Sequence, residues 1–288
     1  MSPPVPRPDQ TGGRAVAVIT GTTHGIGRVT ARELARAGHE VVMLCRDPRA
    51  ARRVREEIRQ QVSGAEVAVI ACDLASLASV VRATEEVLAS FPRIDLLINN
   101  AAITSVRRRR SIDGFELTFA TNHLGPFLLT SRLVPAIRSG GRVVNVASCA
   151  HERATLDLGT IATPNGPYRA VAAYAASKLA NVMHCFALAR RLKSRAIDVN
   201  CVHPGIVASH LLPFWLRVVK PWFTPVTFDL ERGARSTLFA ALSPQMTGRS
   251  GLYIDEHQQP RSASPIANDV TLQESLWEAS ERWIGSRL

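Results

Sequence analysis

A chain of 288 residues, 46% hydrophobic and 20% charged, has an ordinary globular balance and is long enough for one full α/β core or two small domains. Its formal charge of +11, from 35 basic against 24 acidic residues, is almost all arginine, with lysine only at Lys178, Lys193 and Lys220. That skew fits a biased genomic composition at least as well as a polyanion partner. A nucleic-acid reader would also interleave further basic clusters with aromatics, which this chain does not do.

Five cysteines (Cys45, Cys72, Cys149, Cys185, Cys201) show neither C-x-x-C spacing nor the density of a disulfide scaffold, so a reducing cytoplasm is expected. No apolar run approaches the roughly 18 residues that a membrane span needs. Residues 1–13, rich in proline and ending in two glycines, read as a disordered leader.

The first strand is predicted at 15–20, a continuous apolar run of the buried parallel type. It runs into Thr20-Gly21-Thr22-Thr23-His24-Gly25-Ile26-Gly27 and then a helix to Ala37, closed by Gly38. Strand, glycine turn and helix make a site for a phosphate-bearing nucleotide. Glycines let the backbone approach a pyrophosphate, and a helix N-terminus offers free N–H groups and positive potential. The spacing is Gly-x-x-x-Gly-x-Gly and not the commoner Gly-x-Gly-x-x-Gly.

A second strand at 40–45 is followed by Arg46-Asp47. The residue past this strand faces the adenosine ribose, where arginine suits a 2′-phosphate and a carboxylate a free 2′-hydroxyl. Arg46 in first place favours NADP(H) over NAD(H), with Asp47 pulling the other way. A surface helix follows at 48–62. The third strand, 66–72, ends in Asp73-Leu74, where Asp73 either accepts from an adenine amino group or caps the helix at 76–90. The fourth, 94–98, ends in Asn99-Asn100-Ala101-Ala102. Strands alternating with helices at this period describe a single α/β, doubly wound parallel sheet with helices on both faces and its ligand at the carboxyl ends of the strands.

Arg107, Arg108, Arg109 and Arg110 lie in the next loop, as a solvated charge run or as a rim steering an anion. Residues 115–130 are predicted helical on either side of a Gly125-Pro126 interruption. Asn122 sits mid-helix, a poor place for asparagine unless its amide has a partner. A strand at 141–148 puts Ser148 on the same rim as the glycine loop. In the helix at 170–193, Tyr174 and Lys178 are four apart and share a face. A phenol has a pKa of about 10, and a nearby ammonium favours its anion. A strand at 196–202 leads to His203-Pro204-Gly205-Ile206-Val207-Ala208-Ser209. Beyond it, 211–230 combines Phe214, Trp215, Trp222, Phe223 and Phe228 with Pro213, Pro221 and Pro225. A helix at 231–242, a short strand at 251–254 and a helix at 270–284 complete the chain.

Taken together, Thr20-Gly21-x-x-x-Gly25-Ile26-Gly27, Asp73-Leu74, Asn100-Ala101, Asn122, Ser148, Tyr174-x-x-x-Lys178 and Pro204-Gly205 resemble the short-chain dehydrogenase/reductase superfamily from about residue 14 to the end. Cys45-Arg46-Asp47, Thr121-Asn122-His123-Leu124-Gly125, the long interval from Ser148 to Tyr174, and Ser177-Lys178-Leu179-Ala180-Asn181 are similar to its retinol-dehydrogenase and WW-domain-oxidoreductase-like branch. Ala102, His24 and Ala147 depart from the usual pattern without removing a catalytic group.

The resemblance implies one Rossmann-like domain over 14–288 with a substrate lid at about 206–232. It implies an NADP(H)-dependent oxidoreductase that moves a hydride between nicotinamide and a hydrophobic ketone, aldehyde or secondary alcohol. Tyr174 would be the general acid/base and Lys178 would stabilise the tyrosinate and hold the ribose. Ser148 would hold the substrate oxygen, and Asn122 would anchor a water leading to Lys178. Gly21, Thr23, His24, Gly25, Ile26, Gly27, Arg46, Asp73, Leu74, Asn100 and Ala101 would hold the cofactor, together with Tyr174 and Lys178. Pro204, Gly205, Val207 and Ser209 would meet its nicotinamide end. No metal is implied, and a homodimer or homotetramer through the Tyr174 helix is expected. Reduction of an activated carbon–carbon double bond, or cofactor binding without turnover in a regulator or scaffold, are the alternatives the residues leave open.

Overall fold

The computed structural model describes residues 13–205 and 229–285. Its apolar runs become the strands of one sheet: β1 (Val16–Thr20), β2 (Glu40–Cys45), β3 (Val67–Ala71), β4 (Ile94–Asn99), β5 (Ile137–Val146), β6 (Asp198–Val202), β7 (Tyr253–Ile254) and β8 (Pro260–Arg261). Their order is β3-β2-β1-β4-β5-β6-β7-β8. Every neighbouring pair is parallel except β7 with β8. All five residues of β1 are buried, which explains why it reads as an unbroken apolar run and not as an alternation.

The pleat divides those residues between two cores. Val16 and Val18 face the layer of α3 (Leu77–Ser90), α5 (Gly125–Leu133), α6 (Ala170–Leu192) and α8 (Val270–Ile284). Ala17 and Ile19 face α1 (Gly25–Arg36), α2 (Pro48–Gln61) and α7 (Leu230–Leu242). Strand order reverses between β1 and β4, and the chain leaves these strands in opposite directions, opening a crevice at their carboxyl ends.

Four local expectations are corrected. Asp73 does not cap α3; Ser76 does, accepting from the Ser79 N–H. Strand β5 begins at Ile137, ahead of the expected 141, with a register shift against β4 between Ile94 and Leu96. The exposed pair β8 had no apolar pattern to reveal it. Gly125-Pro126 does not interrupt a helix. The chain runs from α4 (Leu117–Phe119) through a π-helical turn, Ala120–Leu124, straight into α5, with Pro126 at the join, where the irregular turn accommodates its missing N–H.

Gly125 has a different purpose. A Cβ there would fall on the Leu74 carbonyl oxygen, so glycine lets α5 press against the turn after β3. Gly125→Ala should therefore lower stability by about 1–3 kcal/mol, the usual effect of overpacking. Urea unfolding checks this, as a lower midpoint at an unchanged slope. A wild-type midpoint would show that the turn yields.

Candidate active site

The glycine loop is stitched to the end of β4. Thr20 Oγ1 accepts from the Asn100 and Ala101 N–H groups, both at 3.0 Å. Asn100 Nδ2 donates to the carbonyls of Thr20 and Gly21 at 2.9 and 3.1 Å. A Cβ at Gly27 would strike both Gly21 O and that same Asn100 amide, so the loop closes only with glycine there. Helices α2, α3, α7 and α8 each start with a capping side chain, whereas α1 has none and no acidic residue in its first turn. Its leading N–H groups face the crevice as a ready anion site.

Above this loop lies a cavity of about 380 Å³. Gly21, Thr23, His24, Gly25, Ile26 and Gly27 line one end, with Arg46 and Asp47 beside them. Asp73, Leu74, Asn100 and Ala101 form a wall, and Tyr174, Lys178 and Pro204 stand at the other end. Gly205, with a left-handed φ of 80°, adjoins Pro204 without lining the cavity. Val207, Ser209 and almost all of the expected lid lie outside the described residues. Arg46 and Asp47 differ in their local engagement. Asp47 Oδ1 accepts from the Arg49 and Ala50 N–H groups at 2.9 and 3.1 Å, so its carboxylate caps α2. Arg46 is exposed at the mouth.

Helix α6 brings Tyr174 and Lys178 onto one face, as the four-residue spacing requires, with the Lys178 ammonium 5.7 Å from the phenol ring centroid. Lys178 is 1% exposed, and its Nζ donates to the Val146 carbonyl at 2.7 Å. An ammonium has further N–H donors, and no other described side chain or carbonyl is bonded to this one, while it lines the cavity. That arrangement suits a ligand's hydroxyls.

Ser148, just past β5, accepts from the Ala150 N–H at 3.2 Å and sits beside the Tyr174 phenol, whose pKa it lowers. Asn122 is fully buried in the π turn. Its Oδ1 accepts from Ile103 N at 2.8 Å, and its Nδ2 donates to Ile103 O and to Ser177 Oγ, both at 3.0 Å. The amide thus locks the loop after β4 onto α6.

Burial rules the titrations. It pushes the Tyr174 phenol up to about 12, against the lowering by Ser148, and brings the Lys178 ammonium down to about 7. The expectation that the ammonium would favour the phenolate is reversed in this ligand-free chain, because desolvation penalises both charged forms and the pair is not in direct contact. The phenol is therefore a protonated acid at neutral pH.

Residues the sequence did not single out also line the cavity, among them Ile103, Thr104 and Val146, as do Cys45, Ala102 and Thr121, to which the motifs assign no role there. Only their positions beside strand ends could have pointed to them. The four arginines 107–110 are exposed and stop short of the cavity, next to Val106 and Ile112, which are 76% and 85% exposed. Among the described residues no group of His, Cys, Asp or Glu is placed to hold a metal ion.

Comparison with known proteins gives a consistent picture. The profile of the family described as short chain dehydrogenase matches residues 15–215. The human protein "Dehydrogenase/reductase SDR family member 13" is 40% identical over 277 residues, covering 93% of this chain and 73% of that one. Human "Retinol dehydrogenase 14" is 37% identical over 292 residues, covering 93% and 85%. A crystal structure of an uncharacterized protein from Mycobacterium Paratuberculosis superposes with a TM-score of 0.79 at 33% identity, covering 94% of each chain.

The buried lysine has a consequence for stability. With a folded pKa near 7 against an ordinary 10.5, the unfolded chain binds more protons between these values. Stability should therefore rise with pH across that window, and the cost of burial is at its full value below it. Lys178→Met should leave the ligand-free protein at least as stable as wild type at pH 7, with the wild type gaining on it as pH rises from 7 towards 10. Melting curves of both proteins against pH test this, and a variant that melts lower at every pH would mean the ammonium is a net stabiliser.

Proposed function

Because the chain belongs to the short-chain dehydrogenase family, with retinol dehydrogenases among its relatives, we propose that this oxidoreductase interconverts a hydrophobic ketone or aldehyde and its alcohol, with NADP(H) as the preferred cofactor. The observation that carries the reading is the pairing of the Tyr174 phenol, with Ser148 beside it, and the buried Lys178 amine in a cavity that is also lined by an uncapped glycine-rich helix start.

The bound nicotinamide supplies or accepts the hydride. The chain's own residues do the rest. Tyr174, protonated at neutral pH, donates its proton to the substrate oxygen in reduction and recovers it in oxidation. Ser148 donates to that oxygen where negative charge builds. Lys178 steadies the tyrosinate that forms, and the N–H groups not bonded to the Val146 carbonyl would hold the ribose hydroxyls of the bound cofactor. Asn122 holds the loop carrying Ile103 against α6 and so fixes the wall of the site. When the cofactor binds, the glycine loop would hold its pyrophosphate, Asp73 and Leu74 would hold its adenine end, and Pro204 and Gly205 would hold its nicotinamide end, a role we extend by resemblance to Val207 and Ser209 outside the described residues. Arg46, with Asp47 engaged elsewhere, is the partner of a 2′-phosphate.

Substrate character rests on two supports: the aromatic, proline-rich composition of 211–230 and the similarity to a retinol dehydrogenase. Residues 14–288 act as one catalytic unit in this proposal. No described helix is long and apolar enough to cross a membrane, and five free cysteines support a reducing, cytoplasmic setting. Association through the Tyr174 helix meets an obstacle. Helix α8 lies on α6, with Arg190 paired to Glu274 at 2.7 Å and the Arg191 guanidinium 3.9 Å over Trp277. A homodimer or homotetramer through this helix would use the part of α6 that α8 leaves open, such as the exposed Val171.

The reading is tested with apolar ketones, aldehydes and enones of increasing size, followed at the nicotinamide absorbance band. Wild type should turn over large apolar carbonyls, and Tyr174→Phe should bind NADPH normally with turnover down by at least about 10²-fold. Near-normal turnover in Tyr174→Phe excludes the assigned mechanism, and turnover of enones alone transfers the activity to carbon–carbon double bonds. In a separate measurement, Arg46→Ala should weaken NADPH by about 1.5–3 kcal/mol, the scale of a charge-assisted hydrogen bond, while barely changing NADH. Equal losses for both cofactors would make Arg46 structural.

A further inference from the structure

Ser148 stands at the point where β5 gives way to a 3-10 turn, Cys149–Arg153, so the peptide unit that follows it sets where its hydroxyl points. Both ends of that unit are held by imidazoles. The Ser148 carbonyl oxygen lies 2.8 Å from His151 Nδ1, and the Cys149 N–H donates to His203 Nδ1 at 3.3 Å. The second nitrogens assign the tautomers. His151 Nε2 accepts from the Ser264 N–H at 3.3 Å, so its proton is on Nδ1, where it donates to Ser148. His203 Nδ1 is an acceptor, so its proton is on Nε2, facing Glu256 Oε2 at 3.8 Å.

We propose that His151 and His203 are positioning residues for Ser148, two neutral imidazoles of opposite tautomer that clamp the Ser148–Cys149 peptide and release it when His203 is protonated. The proposal rests on the catalytic reading of Ser148 and Tyr174 given above. The clamp is anchored firmly. His151 is fully buried with its ring 4.8 Å from that of Tyr253, and His203 is 6% exposed. The His203 N–H donates to Ile254 O at 2.7 Å, and Ser236 Oγ donates to His203 O at 3.2 Å. His203 also precedes Pro204, which lines the cavity, so one residue ties the cofactor end of the crevice to the catalytic serine.

Acid undoes the arrangement at a defined atom. A proton on His203 Nδ1 removes the lone pair that the Cys149 N–H uses. Burial lowers the His203 pKa first of all; Glu256 and Glu152 favour its charged form, and His151 and Arg261 oppose it. His151 is likewise lowered by burial, against its bond to Ser148 and the charge of Glu152. In the reduction direction, in which the kinetics are followed, acidification charges Lys178 more fully and leaves the Tyr174 phenol protonated as the proton donor, so neither of those groups gives a loss of activity on the acid side.

Two measurements test the clamp. Long-range 1H–15N spectra of the ligand-free protein near pH 7.5, assigned with His151→Asn and His203→Asn, should show neutral imidazoles of opposite tautomer. A shared tautomer, or a charged His203, overturns the proposal whatever the enzyme turns over. In kinetics, His203→Asn keeps an acceptor where Nδ1 stands and cannot be charged. It should retain kcat within about threefold of wild type at pH 8 and lose the acid limb that wild type shows between about pH 8 and pH 5. His203→Phe should lose kcat by about tenfold or more, the scale of a misplaced catalytic group, with NADPH affinity and melting temperature held. Identical acid limbs in wild type and His203→Asn, or normal kcat in His203→Phe, refute it. If Tyr174→Phe stays active while the tautomers are as stated, it is the catalytic reading that fails and not the clamp.

Discussion

The site depends on the junction where β1 and β4 diverge. Two neighbouring parallel strands that turn to opposite faces leave backbone groups unpaired at their carboxyl ends, and buried unpaired groups are costly. Here Thr20 and Asn100 satisfy them reciprocally, hydroxyl to N–H and amide to carbonyl. That exchange holds the glycine loop open towards solvent while its underside is sealed, and the absence of a Cβ at Gly27 is what allows the two segments to meet. Asn100 therefore shapes the loop from beneath as well as lining the cavity.

The catalytic end is organised by a charge held out of water. Placing Lys178 under the end of β5 with one carbonyl partner is unfavourable for the ligand-free protein, since a buried ammonium loses its hydration. The surrounding structure supports it through rigid elements: α6 is packed on the sheet, and the π turn delivers the Asn122 amide to Ile103 and Ser177. A donor-rich lysine with unmet hydrogen-bonding capacity is a preorganised site for hydroxyl groups, which complete its coordination when they arrive. Stability is sacrificed where we propose that the chemistry takes place, a pattern usual at functional sites.

The large positive charge is less informative than it looks. Much of the arginine is engaged in surface structure: Arg32 meets Glu33 and Glu231, Arg28 meets Glu57 at 2.5 Å, and Arg190 and Arg191 share Glu274, whose carboxyl they hold down at about 2. Exposed pairs of this kind contribute little individually. The last of them fastens α8 across α6, which gives the helix of Tyr174 and Lys178 a covering from its own chain. The exposed run at 107–110 stands apart from this pattern at the rim.

Local chemistry was enough to place most elements and most candidate residues. Continuous apolar runs marked the parallel strands, because burial on both faces removes the need for alternation, and the glycine spacing, Arg46 and the four-residue interval of Tyr174 and Lys178 follow from short-range geometry. What failed locally was whatever depended on a distant partner. Gly125 looked like a helix break because its reason, the Leu74 carbonyl, is far away in sequence. Asp47 looked like a rival for the ribose until α2 was seen to use its carboxylate. The phenol looked poised to ionise, and only the depth of its burial shows otherwise. His151 and His203 carried no spacing signal at all, since they converge on one peptide from different elements. Sequence determined what each residue is able to do; the tertiary structure decided which partner it has, because hydrogen bonds and desolvation are set by neighbours in space and not by neighbours along the chain.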